Sequence, residues 1–591
     1  MAVVNYTAAT DLLSFTADAG EADQVTVTTP GANTVRIVVV GDTISLTGDV
    51  ASGFTLSGGG TQLDIDTNTA PAANFNFNLG DLSDSLTFGL ANTSNGVTNV
   101  NLQGDGGTDT VTLNALTITG NLIVTSETIQ LSGIVTASGD VTLTAFNSLT
   151  DGADNDIADV VGAVVTLNVT GAGNTIGTGP ADFLEVDAAT RLDAITDNGL
   201  VALKNVAGDL PLGAIDAGAN FIFLTAGNGA VTDANGASVN LTAANGASLT
   251  TTGNNSAIGA VGDAIETAIG ALTATTFDGG IYVDDSNGPG LIIQNVIAKE
   301  GGKTPFANGS NQIVLDNGNT QGIKDVTISA QGDILLKTVV APDMATVTSN
   351  AGRILDINQG SNNILAQSQN LVASGIIGQD GDAIESTVEA FSASTTNGSI
   401  FLAPLLSGTA VSVIAGGAGN DVSISAAVPS LGIQTISALG DVTVANASGV
   451  LLDADGASVN ITAQVVSLTG SSGIGTADDP LDTNTSDLRA TASDAGATIF
   501  VNEADGLSSV SAKTNAGRVI IYFAGGPLTF DPSTQLLSLS GTAALTFETT
   551  TGNINLGLVD AGTSDINITA KGAILDDVND ALVDLRGGTV T

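Results

Sequence analysis

The chain of 591 residues carries 60 acidic against 13 basic side chains, a formal net charge of -47, and has neither cysteine nor histidine. Such a field repels phosphate backbones and anionic lipid heads, so nucleic-acid binding and membrane insertion are not expected, and cations are the natural partners. Without thiols or imidazoles there is no disulfide framework, zinc ribbon or redox pair, and the usual general base of neutral pH is missing, which argues against most hydrolases.

Apolar residues make up 42% of the chain, yet aromatic ones only 3%, and Trp is absent. That balance suits thin layers of Val, Ile, Leu, Ala and Thr better than a globule centred on large rings. The opening MAVVNYTAATDLLSFTADAGEADQ has no basic leader followed by an apolar run, and no stretch of roughly 18 apolar residues follows. A soluble mature chain is expected.

Short runs alternate apolar residues with Thr, Ser, Asn or Asp and end on Gly, Asn or Asp, the pattern of short strands. The first lie at Val25 to Thr29, Thr43 to Gly48 and Asn74 to Gly80. Near them, LGDLSDSLTF and QGDGGTDTVTL set Gly80-Asp81 and Gly104-Asp105 24 residues apart, with Asp84 and Asp109 following. A coil of that length would stack the aspartates at one corner, where like charges repel unless a cation sits between them. GDGGTDTVT also matches the GGxGxD half of the calcium-binding nonapeptide, with Asp105 replacing the second glycine. Residues 1–110 are therefore expected to form a first set of β-rungs, with Ca2+ as the candidate cofactor on Asp81, Asp84, Asp105 and Asp109. The alternative is that these are solvated turn residues.

Residues 111–591 read as a continuous β-solenoid. Long modules start near 149, 231, 354 and 451, with a partial one near 574. Each complete module holds an Ile-Gly pair at Ile176-Gly177, Ile258-Gly259, Ile377-Gly378 or Ile474-Gly475. Similar phrases follow: LDAITDNGLVAL from Leu192, LTATTFDGGIYV from Leu272, FSASTTNGSIFL from Phe391 and LRATASDAGATIFV from Leu488. Between pair and phrase stand two acids three residues apart: Asp182 and Glu185, Asp263 and Glu266, Asp382 and Glu385, Asp479 and Asp482. Asp is a strong N-cap, and an acid at the third helical position completes a capping box. Ile265, Ile269 and Leu272, like Ile384, Val388 and Phe391, recur at helical spacing. Each acid pair is thus expected to cap a short side helix, about two turns long, that leaves the coil. Four copies look like a duplicated structural part, not a catalytic dyad.

Further along, GGAGNDVSI makes Asp421 another calcium candidate, although neither nonapeptide copy is tandem. Asp284, Asp285, Asp453 and Asp455 read as turn residues. Glycine recurs after 20 residues at Gly332 and Gly352 and again at Gly552 and Gly572, a spacing that suits one coil. GAILDDVND, from Gly572, opens a module that does not finish, so the chain is expected to be part of a longer repeat protein or to continue into a neighbouring subunit.

GDVTLTA, IGTADDPLDTNTSDLRATASDAGATIFVNEADGL and GNINLG resemble the repeats of large bacterial secreted β-helix proteins, the filamentous-haemagglutinin-like adhesins and autotransporter passengers, over roughly Val111 to Thr591. The resemblance implies an all-β, elongated right-handed parallel β-helix with short side helices or loops inserted between rungs. It also implies an extracellular or cell-surface location and a role as adhesin, stalk, fibre or filament subunit. Candidate partners are further copies end to end and a surface or glycan ligand. The rival is a β-helix polysaccharide lyase, whose chemistry needs a basic residue such as Lys337 or Arg353 beside a bound uronate. With so few candidates, the chain is not expected to be an enzyme.

Overall fold

Alternation of inward apolar and outward polar side chains sets the architecture. In Val442–Asn446 the residues Val442, Val444 and Asn446 are buried, while Thr443 and Ala445 face outward. A strand of this kind buries one face only, so it needs a second apolar face against it and a backbone partner on each edge. A computed structural model of the chain describes residues 1–50, 52–69, 73–91, 96–152, 157–286, 288–307, 312–314, 324–504, 506–515, 520–524, 528–529, 536–538, 545–549, 553–556, 559–560, 565–576 and 585–591. It is an all-β parallel β-solenoid, in two units, Met1–Ser286 and Asn287–Thr591.

The first unit starts differently from how it continues. Leu12–Thr16 pairs antiparallel with Ala2–Thr7 on one edge and parallel with Asn74–Asn78 on the other. Gln24–Gly31 likewise pairs antiparallel with Thr34–Val40 and parallel with Ser85–Leu90. From there the ladder is parallel and crosses residue 110 without a break: Val111 stands between Leu86 and Ile129, and Leu122 stands beside Val141. Phe77 packs on Phe15 at 5.1 Å and on Phe88 at 5.6 Å between ring centroids. Elsewhere the core is mostly aliphatic, with Phe391 a buried exception.

In the second unit Ile334 pairs with Ile354, and Ile554 with Ile574, so the 20-residue coil read from the glycines is the register of the ladder. Gly552 itself and residues 577–584 lie outside the described residues. Phe306–Ala307 and Ile313–Val314 form a separate antiparallel pair.

The expected side helices are not there. Among the described residues the helical content is one 3-10 turn, Gly58–Gly60, and no helix is long and apolar enough to cross a membrane. Ile265–Ile269 and Ile384–Thr387 are strands. Two apolar residues four apart satisfy a strand as well as a helix, and the residue between them decides. Thr267 and Ser386 sit there and are buried, which a strand requires and an amphipathic helix of that phase does not. Leu272 belongs to the next strand, Ala271–Thr275.

Candidate functional site: carboxylates at the coil corners

Residues entering a strand at a coil corner leave a backbone N–H without a partner in their own coil. In the first unit aspartates from the neighbouring coil accept these amides. The Asp23 N–H donates to Asp84 Oδ1 at 2.6 Å, the Asp84 N–H to Asp109 Oδ1 at 2.8 Å, and the Asp109 N–H to Glu127 Oε2 at 2.9 Å. The result is a ladder of carboxyl groups, one per coil, each bound through one oxygen. Asp23, Asp84 and Asp109 are buried, and the second oxygens of Asp84 and Asp109 are buried without a hydrogen-bond partner. Burial pushes all three acids above the ordinary carboxylate range, Asp109 up to about 6, with the charges of Glu127 and Asp84 adding to the effect on Asp109. The ladder can therefore hold protons at mildly acidic pH.

The spacing explains which of the sequence-predicted aspartates meet. One coil here is 25 residues, as Asn74 beside Asn99 shows, so Asp84 stacks on Asp109. Asp81 and Asp105, 24 apart in sequence, fall out of step: the Gly106 N–H donates to the Gly80 carbonyl, and a Cβ on Gly106 would lie 3.6 Å from Asp81 Cα. Asp81 accepts the Gly20 N–H at 2.8 Å, and Asp105 accepts Asn78 Nδ2 at 2.6 Å. Asp421 does similar work in the second unit, accepting the Asp441 N–H at 2.8 Å, as Asp333 does for the Arg353 N–H at 2.9 Å. Gly104 lies under the carboxyl of Asp109, where a Cβ would come within 2.6 Å of Oδ2. Its place in the calcium-like phrase thus has a packing reason.

Among the described residues, two sets of three carboxyl groups bring their oxygens within 4.8 Å of one another: Asp18, Glu21 and Asp42, and Asp151, Asp159 and Glu185. Neither includes a residue singled out for calcium. The first is half-buried to exposed and is faced by the Met1 amine, 2.7 Å from Asp42. That amine already supplies a positive charge to the group.

The four acid pairs share a different geometry from the one expected. The first acid closes a tight turn by reciprocal main-chain hydrogen bonds: Asp182 with Gly179 and Thr178, Asp263 with Ala260, Asp382 with Gln379, Asp479 with Thr476. The second acid, Glu185, Glu266, Glu385 or Asp482, lies in the strand that follows. None caps a helix: the N–H of each second acid, which a helix would leave free, is accepted by a side chain of the preceding coil, Asp159, Asn240, Asn363 or Asn460. The Ile-Gly pair before them has its own logic. Ile258 bridges Val231 and Ile281, and Ile377 bridges Ile354 and Ile400. Gly259 and Gly378 turn away at φ 66° and 65°, and a Cβ on either would sit 2.5 Å from a carbonyl oxygen, of Tyr282 or Phe401.

Sequence reasoning missed two kinds of buried polar residue. Asp285, expected as a turn residue, is buried and accepts Thr267 Oγ1 at 2.8 Å and the Ile269 N–H at 3.0 Å. Glu503 binds Thr483 and Thr485 in the same manner. Asn240, Asn363 and Asn460 are fully buried and were hidden inside phrases that read as turns. A constant spacing of seven residues after Asp233, Asp356 and Asp453 was the available signal.

Several hollows mark the described surface. One of about 330 Å³ is lined by Asp380, Asp382, Glu385 and Phe401. One of about 430 Å³ is lined by Asn74, Asn76, Asn99, Asn101 and Ile123, and another of about 430 Å³ by Thr144, Asn168, Ile195 and Asp197. Of the two bases considered for a lyase, Arg353 is held by Asp333 through Nε at 3.1 Å and Nη2 at 2.6 Å. No family model matches the chain, and neither a curated protein nor a solved structure matches it.

Proposed function

We propose that the chain is an extracellular structural and adhesive β-solenoid of a bacterial cell, acting as stalk, surface fibre or filament subunit, with no catalytic role. The observation that carries the reading is the continuity of the parallel ladder within each unit, where coil after coil shares backbone hydrogen bonds and an aliphatic core. Such a stack spreads load over many small interfaces and resists local opening. Its net charge of -47 keeps a repetitive β-surface from sticking to itself and draws cations, which gives calcium a stabilising role at the acidic corners. The repeat phrases' resemblance to secreted β-helix adhesins supports the location, and copies joined end to end would extend the stack.

A glycan-binding adhesin is the second reading. It is favoured by the amide array in which Asn99 Nδ2 donates to Asn74 Oδ1 at 2.8 Å and Asn101 Nδ2 to Asn76 Oδ1 at 2.9 Å, beside half-exposed Ile123. The test is protease shaving of intact, unpermeabilised producing cells with antibody detection. Loss of the chain from intact cells is the expected result, and its full retention until lysis contradicts an extracellular role. Glycan-array binding without turnover, lost in Asn76→Ala with Asn101→Ala, would select the adhesin over the passive fibre.

A further inference from the structure

The four modules place one side chain in the same slot, and in three of them it is asparagine. Asn240 Nδ2 donates to the Leu212 carbonyl at 3.2 Å and to Asp233 Oδ1 at 2.9 Å, while its Oδ1 accepts the Glu266 N–H at 2.9 Å. Asn363 repeats this toward Leu336, Asp356 and Glu385, at 3.2, 2.6 and 2.9 Å. Asn460 repeats it toward Ile433, Asp453 and Asp482, at 3.0, 2.8 and 2.7 Å. Each asparagine therefore clasps three consecutive coils, donating backward and accepting from the coil ahead.

Register identifies the fourth copy. Leu131 pairs with Asp151 as Leu212 does with Asp233, Leu336 with Asp356 and Ile433 with Asp453. The N–H that reaches the Glu185 carbonyl, as those of Asn240, Asn363 and Asn460 reach Glu266, Glu385 and Asp482, belongs to Asp159. Asp159 is buried and accepts the Glu185 N–H through Oδ2 at 3.4 Å, so it keeps the accepting half of the clasp. The donating half is what an ionised carboxyl lacks. An amide offers two N–H groups, a carboxylate none and a carboxylic acid one.

We propose that Asp159 is held as the neutral acid, its single O–H replacing the asparagine amide of the other modules, so that the first module is a proton-dependent clasp. The groups around it leave no better arrangement. Asp151 faces it across the corner of its own coil and Glu185 from the following one, with all three carboxyls' oxygens within 4.8 Å, and Lys204 stands opposite Glu185 one strand further on. Burial first, then the charges of Asp151 and Glu185, push Asp159 up to about 7. An aspartate with a raised folded-state pKa gives stability that is complete below its unfolded value and is lost as pH rises through the folded one. The clasp is thus closed in mild acid and loosened above neutrality, while the asparagine clasps do not respond. The inference holds wherever the chain acts.

Hydrogen exchange of the full chain, corrected for intrinsic rates, tests it with the asparagine modules as internal controls. Between about pH 5.5 and about pH 8.5, protection at Asp159 and Glu185 should fall roughly tenfold relative to Asn240 and Glu266. Asp159→Asn should abolish the difference, and Asn240→Asp should create it in the second module. Equal, pH-independent protection in the unmodified chain would overturn the proposal, as would a fall that persists in Asp159→Asn. If millimolar calcium restored protection at the higher pH in the unmodified chain but not in Asp159→Asn, the slot would hold a metal and the proton reading would be wrong.

Discussion

Between Ala2 and Asp66 several strands pair antiparallel, as Gln24–Gly31 does with Thr34–Val40, whereas from Asn74 to Asp285 the named strands pair with their neighbours in parallel. Both stretches alternate buried and outward residues, so the alternation does not decide the sense of pairing. Connection length does. Ala32 and Asn33, the latter at φ 59°, make a tight turn that can only return the chain antiparallel, while a coil comes back to its own line after, for example, 21 residues between Val201 and Ile222. The cores differ accordingly. Phe15, Phe75, Phe77 and Phe88 gather where hairpins meet the first coils, and elsewhere thin, mostly aliphatic layers suffice, with Phe391 the buried exception. The antiparallel strands Ala2–Thr7 and Thr34–Val40 cover the first parallel rungs and are themselves paired on their far sides with Ile44–Gly48 and Gln62–Asp66.

That contrast can be broken most forcefully at Phe77, which is buried and touches three other rings. Phe77→Ala should lower the local opening free energy of the first coils by about 3–5 kcal/mol, read by native-state hydrogen exchange. The same measurement in Asn363→Ala should show a loss of about 1–3 kcal/mol confined to the coils it clasps, because the Leu336 carbonyl, Asp356 and the Glu385 amide lose their shared partner. An effect spread over the whole chain would contradict coil-by-coil stability. Ile258→Val, one methylene from a thin layer, should cost about 0.5–1.5 kcal/mol.

The acid ladder belongs to the first region and sharpens the comparison through pH. Burial raises Asp109 to about 6, so its contribution is complete below the ordinary carboxylate value of 3.8 and is lost as pH rises through about 6. Asp109→Asn can still accept the Asp84 N–H, and it should flatten the fall in melting temperature of the N-terminal coils between those pH values. An unchanged profile would mean that Asp109 is ionised and compensated in the unmodified chain.

Much of the solenoid was legible in the chain because its determinants are local and periodic. Gly332 and Gly352 announced the register that Ile334 and Ile354 keep, and the Ile-Gly pairs marked three isolated bridges and, at Ile474, a short paired strand. The acid pairs were misread because Ile265 and Ile269 fit two periods at once, and only the burial of Thr267 separates them. Asp81 and Asp105 were misjudged by a single residue, since 24 positions of sequence do not show that the coil takes 25. The clasp left only its seven-residue spacing as a trace, because an asparagine after a glycine-rich phrase looks like any turn residue until the preceding coil's carbonyl is placed above its amide.

The absence of cysteine makes the stacking of coils directly testable by paired substitution. Thr443 stands beside Ser467 and Ala445 beside Thr469 in the parallel register, all four side chains lying outside the core. Cysteine pairs at 443 with 467 and at 445 with 469 should form disulfides readily under mild oxidation, because adjacent strand positions fall within disulfide reach. Preferential linking of 443 with 469 and of 445 with 467 is the antiparallel outcome, and it would contradict the solenoid outright.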